Sequence, residues 1–170
     1  MVFRRTILVL TSLSLVCSGL AAPAAAHSGS GQLKAALIYN ILRFVDLGSG
    51  SNGAIDLCVV SSAPSFREIS SLNRREVSGR SIMVRETSSG NLRNCDVVYL
   101  GSAGAAEIRN ASASGRALIG DGSGFVNSGG TIGFVRMGNQ IRFEINISSA
   151  RAAGVSISSK LLRLASRVQQ

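Results

Sequence analysis

Three features of this chain are the first that chemistry could recruit: two cysteines, one histidine and a glycine-rich loop. Cys58 and Cys95 enclose a loop of about 38 residues, so a cross-link between them would be worth about 4 kcal/mol in chain entropy. A catalytic thiol is the rival reading, but it needs a base beside it. The single histidine, His27, lies ahead of the first regular apolar segment, so a structural disulfide is favoured. Gly120-Asp121-Gly122-Ser123-Gly124 follows an apolar run and looks like the opening of a dinucleotide-binding fingerprint, in which exposed N–H groups cradle pyrophosphate at a helix N-terminus. Position 125 is Phe where the third glycine should stand, and Gly129-Gly130 lead toward a hairpin. Turn chemistry is the better account of the loop. The same five residues would line the pocket in an alternative reading, a module that binds an amino acid or vitamin at the C-terminal edge of a parallel sheet.

Other chemistries find less to work with. Metal would need a cluster of His, Cys, Asp or Glu, and here the acids are scattered. General acid–base catalysis would need paired carboxylates or a base next to a nucleophile. Asp121 and Glu144 are the only acids after Glu107, one in a loop and one on a strand. No enzyme, metal or cofactor is expected.

The elements that must position these residues begin after an export signal. Arg4 and Arg5 precede a largely apolar run from Thr6 to Leu20, and Ala24-Ala25-Ala26 fits small-residue cleavage. Residues 1–26 read as a signal peptide and 27–170 as one mature α/β domain outside the cytoplasm. The apolar run is short for a membrane span of about 20 residues. Cys17 follows Leu15-Val16, a poor site for lipoprotein processing. In an oxidising compartment the two remaining cysteines are expected to pair. The net charge of +9 falls to +7 without Arg4 and Arg5. The basic residues are dispersed and aromatics for base stacking are few, which argues against nucleic acid and for a solvated basic face toward an acidic partner or anionic lipid.

Residues 27–31 read as a flexible leader. Leu33, Leu37, Ile41 and Phe44 then recur at helical spacing from Gln32 to Leu47. Strands are expected at 54–60, 80–87, 96–100 and 117–119, with helices at 64–72 and 102–113 between them; such alternation marks parallel βαβ units. Two further strands, 131–136 and 140–147, flank the hairpin signal Met137-Gly138-Asn139. In the second, Ile141, Phe143, Ile145 and Ile147 alternate with Arg142, Glu144 and Asn146, a strip that reads as a same-strand ion pair or as a surface met by a partner. Ser148-Ser149 are expected to cap a short helix ended by Gly154. A basic amphipathic helix is expected over 157–168.

Three stretches, in order, resemble one known family. They are Leu33-Lys34-Ala35-Ala36-Leu37-Ile38-Tyr39-Asn40-Ile41-Leu42-Arg43-Phe44; Gly120-Asp121 with Gly129-Gly130-Thr131-Ile132; and Asn139 through Asn146, running on to Ala153-Gly154 and Ile157 through Leu162. The chain is similar to the YfiR/HmsC-like periplasmic proteins. The resemblance implies a Rossmann-like, three-layer α/β domain with a mostly parallel sheet and a C-terminal antiparallel hairpin, tending to form a homodimer. It also implies a repressor that binds the periplasmic domain of a membrane diguanylate cyclase and lowers cyclic-di-GMP and biofilm formation. An outer-membrane lipoprotein would sequester it. Redox control through disulfides is a further implication. Members often carry Trp-Pro after the first helix, where this chain has Asp46-Leu47-Gly48, and some carry a second cysteine pair that is absent here. The apolar and basic surface of the hairpin and final helix, together with the resemblance, places the partner interface around Arg142, Glu144, Val155, Ile157 and Leu161.

Overall fold

The computed structural model describes residues 25–48 and 53–170. The signal-peptide assignment, apart from its last two residues, lies outside them. In chain order the elements are α1 (Ala25–Leu42), β1 (Val45–Asp46), β2 (Ala54–Val60), α2 (Phe66–Ser70), β3 (Glu76–Val77), β4 (Arg80–Thr87), β5 (Val97–Gly101), α3 (Ala105–Ser112), β6 (Ala117–Asp121), β7 (Ile132–Met137), β8 (Gln140–Asn146), α4 (Ile147–Ala152), β9 (Ser156–Ile157), α5 (Ser159–Leu164) and β10 (Arg167–Gln169).

Eight strands form one sheet in the order β10-β8-β7-β6-β5-β2-β4-β3, and β1 pairs with β9 in a separate ribbon. Neighbours from β7 through β4 pair in parallel, while β8 returns antiparallel to β7 and β3 antiparallel to β4. The central strands are apolar on both faces because both faces are covered. Along β2, Ile55, Leu57 and Val59 join the larger core under α1, α2, α4 and α5, while Cys58 and Val60 join the smaller core under α3. Three layers result, as the resemblance implied.

Sequence expectation and structure part company at both ends. The leader at 27–31 is helical, part of an α1 that begins at Ala25. There the Gly31 backbone packs on the Glu68 side chain, where a Cβ would lie 2.9 Å from its carbons; packing on α2 outweighs the weak helix propensity of Ser and Gly. At the other end, the helix expected over 157–168 closes after Leu164, and β10 then pairs in parallel with β8. Leucine spacing suggested one long helix, but only Leu161 of that stretch is buried, and Arg167–Gln169 gain their structure by pairing with β8. The cap of α4 is Asn146, whose side chain accepts from Ser149 N, not Ser148 or Ser149. Asn146 also donates from Nδ2 to the Val126 carbonyl at 2.9 Å and is buried. It therefore leaves the polar outward strip expected of it, since a buried amide needs both its donor and its acceptor satisfied.

Candidate functional site

The two ends of the parallel strands carry different chemistry. At the C-terminal end, β5 and β6 bring Tyr99 and Asp121 side by side, and α1 adds Lys34. Asp121 Oδ2 accepts from Lys34 Nζ at 2.7 Å and from the Tyr99 hydroxyl at 2.9 Å, while Oδ1 is buried without a hydrogen-bond partner. Burial first, and then the neighbouring Asp121 charge, push the Tyr99 phenol well above its ordinary range. A phenol held neutral can only donate to the carboxylate, so the cluster pins α1 to the sheet.

The glycine loop beside it is closed against a cofactor. Gly120 lies under the Phe125 ring: a Cβ there would meet ring carbons at 2.1 Å, and Gly130 faces the same ring at the same distance. The protein thus puts its own aromatic where a pyrophosphate would need open backbone N–H groups. The switch point between β2 and β5 is blocked as well, because a Cβ on Gly101 would sit 3.0 Å from the Ala63 Cβ. Of the five loop residues, Asp121 and Gly122 border a cavity of about 210 Å³ shared with Lys34, Ser102, Phe134 and Arg136.

At the N-terminal end the surface opens into a larger groove of about 540 Å³. The end of α1 supplies Leu42 and Phe44, the β1–β9 ribbon Val45 and Ile157, and the sheet Ile55 and Val77. These apolar walls are rimmed by charge. Arg80 donates to the Gly48 and Ala54 carbonyls at 3.2 and 2.6 Å and lies 3.6 Å from Asp96. Lys160 Nζ stands 5.1 Å above the Phe44 ring. Ile157 also lines a second, smaller apolar depression of about 250 Å³ with Ile147 and Leu162, and Leu164 and Val168 are exposed at the same end of the chain. An apolar trough whose rim carries Arg43, Arg80 and Lys160 against one carboxylate, Asp46, suits a docked protein segment.

The interface expected around the hairpin and final helix needs correcting. Val155 and Leu161 are core residues, 6% and 2% exposed, because α4 and α5 turn their apolar sides onto the sheet. Arg142 and Glu144 project from the sheet face opposite Phe143 and Ile145, whereas Ile157 packs on the Phe143 side. No single surface contains all five. The partner of Glu144 is on a neighbouring strand: Arg167 donates to both its carboxylate oxygens, at 3.1 and 2.7 Å. Cys58 and Cys95 form a disulfide, with both residues fully buried. Among the described residues no group of three or more His, Cys, Asp or Glu could hold a metal ion, and no helix is long and apolar enough to cross a membrane.

Sequence reasoning missed Tyr99, Lys34 and Thr131. The Thr131 Oγ1 accepts from Leu118 N at 3.0 Å and stands in for a ladder bond at the start of β7. For Lys34 and Thr131 the available signal was a polar residue at the margin of an apolar run; for Tyr99 it was a hydroxyl inside one.

The YfiR/HmsC-like family model matches residues 31–166, a span that includes the groove, the disulfide and the closed glycine loop. The chain belongs to the YfiR/HmsC-like family. The family is one of periplasmic regulators. Comparison with curated proteins finds no match. Among solved structures the chain is similar to a conserved domain protein from Vibrio cholerae O1 biovar El Tor, at 15% identity and a TM-score of 0.54, covering 82% of this chain and 60% of that one. It is also similar to an ABC domain in complex with L-Trp from Streptococcus pneumonia, at 13% identity and a TM-score of 0.50, covering 81% and 60%. This YfiR/HmsC-like chain therefore spans about 60% of both structures, and the likeness is one of fold.

Proposed function

We propose that this protein is an exported, non-catalytic repressor that binds the periplasmic domain of a membrane diguanylate cyclase, holds it inactive and so lowers cyclic-di-GMP and biofilm formation. The match to the family over residues 31–166 is the observation that carries this reading. The groove at the N-terminal end of the sheet is the docking surface, with Phe44 and Ile157 as apolar anchors and the basic rim meeting an acidic partner segment. Restraint follows from differential affinity: moving a partner from 1:99 to 99:1 in favour of its inactive state takes about 5.5 kcal/mol of preference. A homodimer and release by an outer-membrane lipoprotein complete the reading. Deleting the gene should raise cellular cyclic-di-GMP, and re-expression should restore it; an unchanged level in the deletion strain rejects the proposal. Ile157→Glu should fold and fail to co-purify with the cyclase, because it removes an apolar anchor and sets a carboxylate against the acidic partner segment.

A second reading, a small-ligand module, rests on the cavity beside Asp121 and Gly122. The fold likeness to a domain solved with L-Trp gives it a precedent. Its volume of about 210 Å³ falls below the ~300–1,000 Å³ usual for such sites, which ranks it second. A thermal-shift screen with free amino acids and vitamins separates the readings: a true ligand at 100-fold over its Kd adds about 2.7 kcal/mol.

A further inference from the structure

On the sheet face opposite the groove, residues 88–94 and the end of α3 border a separate, open concavity of about 390 Å³, lined by Ser89, Gly90, Arg93, Asn110, Ser114 and Arg116 with Leu92 at its base. Its lining holds two guanidinium groups and no carboxylate. The four ion pairs among the described residues use Lys34, Arg80, Arg85 and Arg167, so neither Arg93 nor Arg116 is neutralised. Arg116 Nε is buried and has no hydrogen-bond partner. A buried cationic N–H without an acceptor is costly, and an anion beside the part of the guanidinium that lines the concavity would offset that cost electrostatically. The Ser114 hydroxyl is committed to the Ala111 carbonyl at 2.6 Å. The Ser89 hydroxyl and the Asn110 amide add neutral donors to the two cations.

The backbone holds both arginines in place. Arg85 donates to the Arg93 carbonyl at 2.8 Å and to that of Asn94. Asn94 takes a left-handed φ of 55°, and the next residue, Cys95, is cross-linked to Cys58 on β2. Arg116 sits between Gly115, whose φ of 69° reverses the chain after α3, and the first residue of β6. Each arginine thus projects from a fixed turn.

We infer that this concavity binds a small molecule bearing phosphate or carboxylate groups, with Arg116 and Arg93 as paired oxyanion ligands. Planar guanidinium forks match both groups in geometry, and the volume admits a metabolite-sized ligand and not merely a single ion. The site is distinct from the groove, so its test stands whether or not the protein restrains a cyclase. Isothermal titration of the disulfide-intact protein with inorganic phosphate and with citrate should give saturable binding to both at constant chloride. Citrate, with several carboxylates, should bind more tightly. Arg93→Ala and Arg116→Gln should each weaken citrate by about tenfold or more, the loss of one charge-assisted contact, while Arg163→Ala, on α5, should leave it unchanged. Arg93 is exposed, so its variant tests the site even where Arg116→Gln fails to fold. Absence of saturable binding by either probe, or equal weakening by Arg163→Ala, overturns the assignment.

Discussion

Asp121 shows how one side chain can look functional in sequence and be structural in space. In the sequence it sits between glycines, as a cofactor ligand would. In the fold its carboxylate takes a proton donor from each of two layers, Lys34 on α1 and Tyr99 on β5. The side chains of Lys34 and Asp121 are 17% and 12% exposed, so this pair is sheltered far more than a surface ion pair. Replacing Lys34 by Met leaves a largely buried carboxylate without its cation, and urea unfolding should show a loss of about 3 kcal/mol. Tyr99 adds a dependence on pH. Its folded pKa lies above the ordinary value of about 10 because burial and the Asp121 charge disfavour the phenolate. Its contribution is therefore complete below about pH 10, where the phenol is protonated in both states. It is lost as pH rises beyond that, since the unfolded chain ionises first. Urea unfolding at neutral and strongly alkaline pH should show a drop in the native protein that is smaller in Tyr99→Phe. An identical drop in the two would mean that Tyr99 does not set the alkaline limit.

At the scale of elements, the disulfide and the C-terminal strand mark what pattern reading can and cannot reach. Cys58 on β2 and Cys95 just before β5 are joined across adjacent parallel strands, as spacing and compartment suggested. Because both are fully buried, a reductant must await opening of the sheet. The native protein should keep this bond in dithiothreitol under conditions that leave it folded, as counted by thiol labelling. The double substitution of Cys58 and Cys95 by Ser should lower unfolding stability by about 4 kcal/mol. Rapid labelling of the native fold would favour a redox switch instead. The strands at 54–60 and 80–87 were readable to the residue because continuous or alternating apolar runs bounded by Gly have few other solutions. β10 was not. Arg167, Val168 and Gln169 carry no alternation of their own, and only pairing with Glu144, Ile145 and Asn146 makes them a strand. Asn146 was misread for a related reason: its neighbours' alternation placed it outward, while the turn at Val126 covers that face and demands a donor. The resemblance located the family; the leucine stripe that includes Leu161 read as core more readily than as interface, and the structure buries it together with Val155.

The whole molecule separates its surfaces by sheet face and sheet end. Ile157 and Phe44 lie on the α1 side around the groove, whereas Arg142 and Glu144 lie on the other face, near Asn127 and Arg167. If the groove is where a cyclase is restrained, Phe44→Ala and Ile157→Glu should each release the enzyme and raise cyclic-di-GMP toward the deletion level. Arg142→Glu should leave repression intact. The opposite result, with Arg142→Glu alone derepressing, would move the interface to the far face. A basic protein with an apolar trough should also associate faster with an acidic partner at low ionic strength, and stopped-flow mixing at two salt concentrations would measure this.

The Phe125 ring, wedged between Gly120 and Gly130 with Gly133 beneath it, limits what this scaffold can become. Opening the turn to a nucleotide would mean removing the aromatic, and that alone leaves a void bounded by three residues with no side chain to fill it. Filling the void first would drive a methyl into the ring. Neither order of single substitutions passes through a well-packed intermediate, so descendants of this chain can diversify at their grooves and rims far more readily than they can acquire a cofactor.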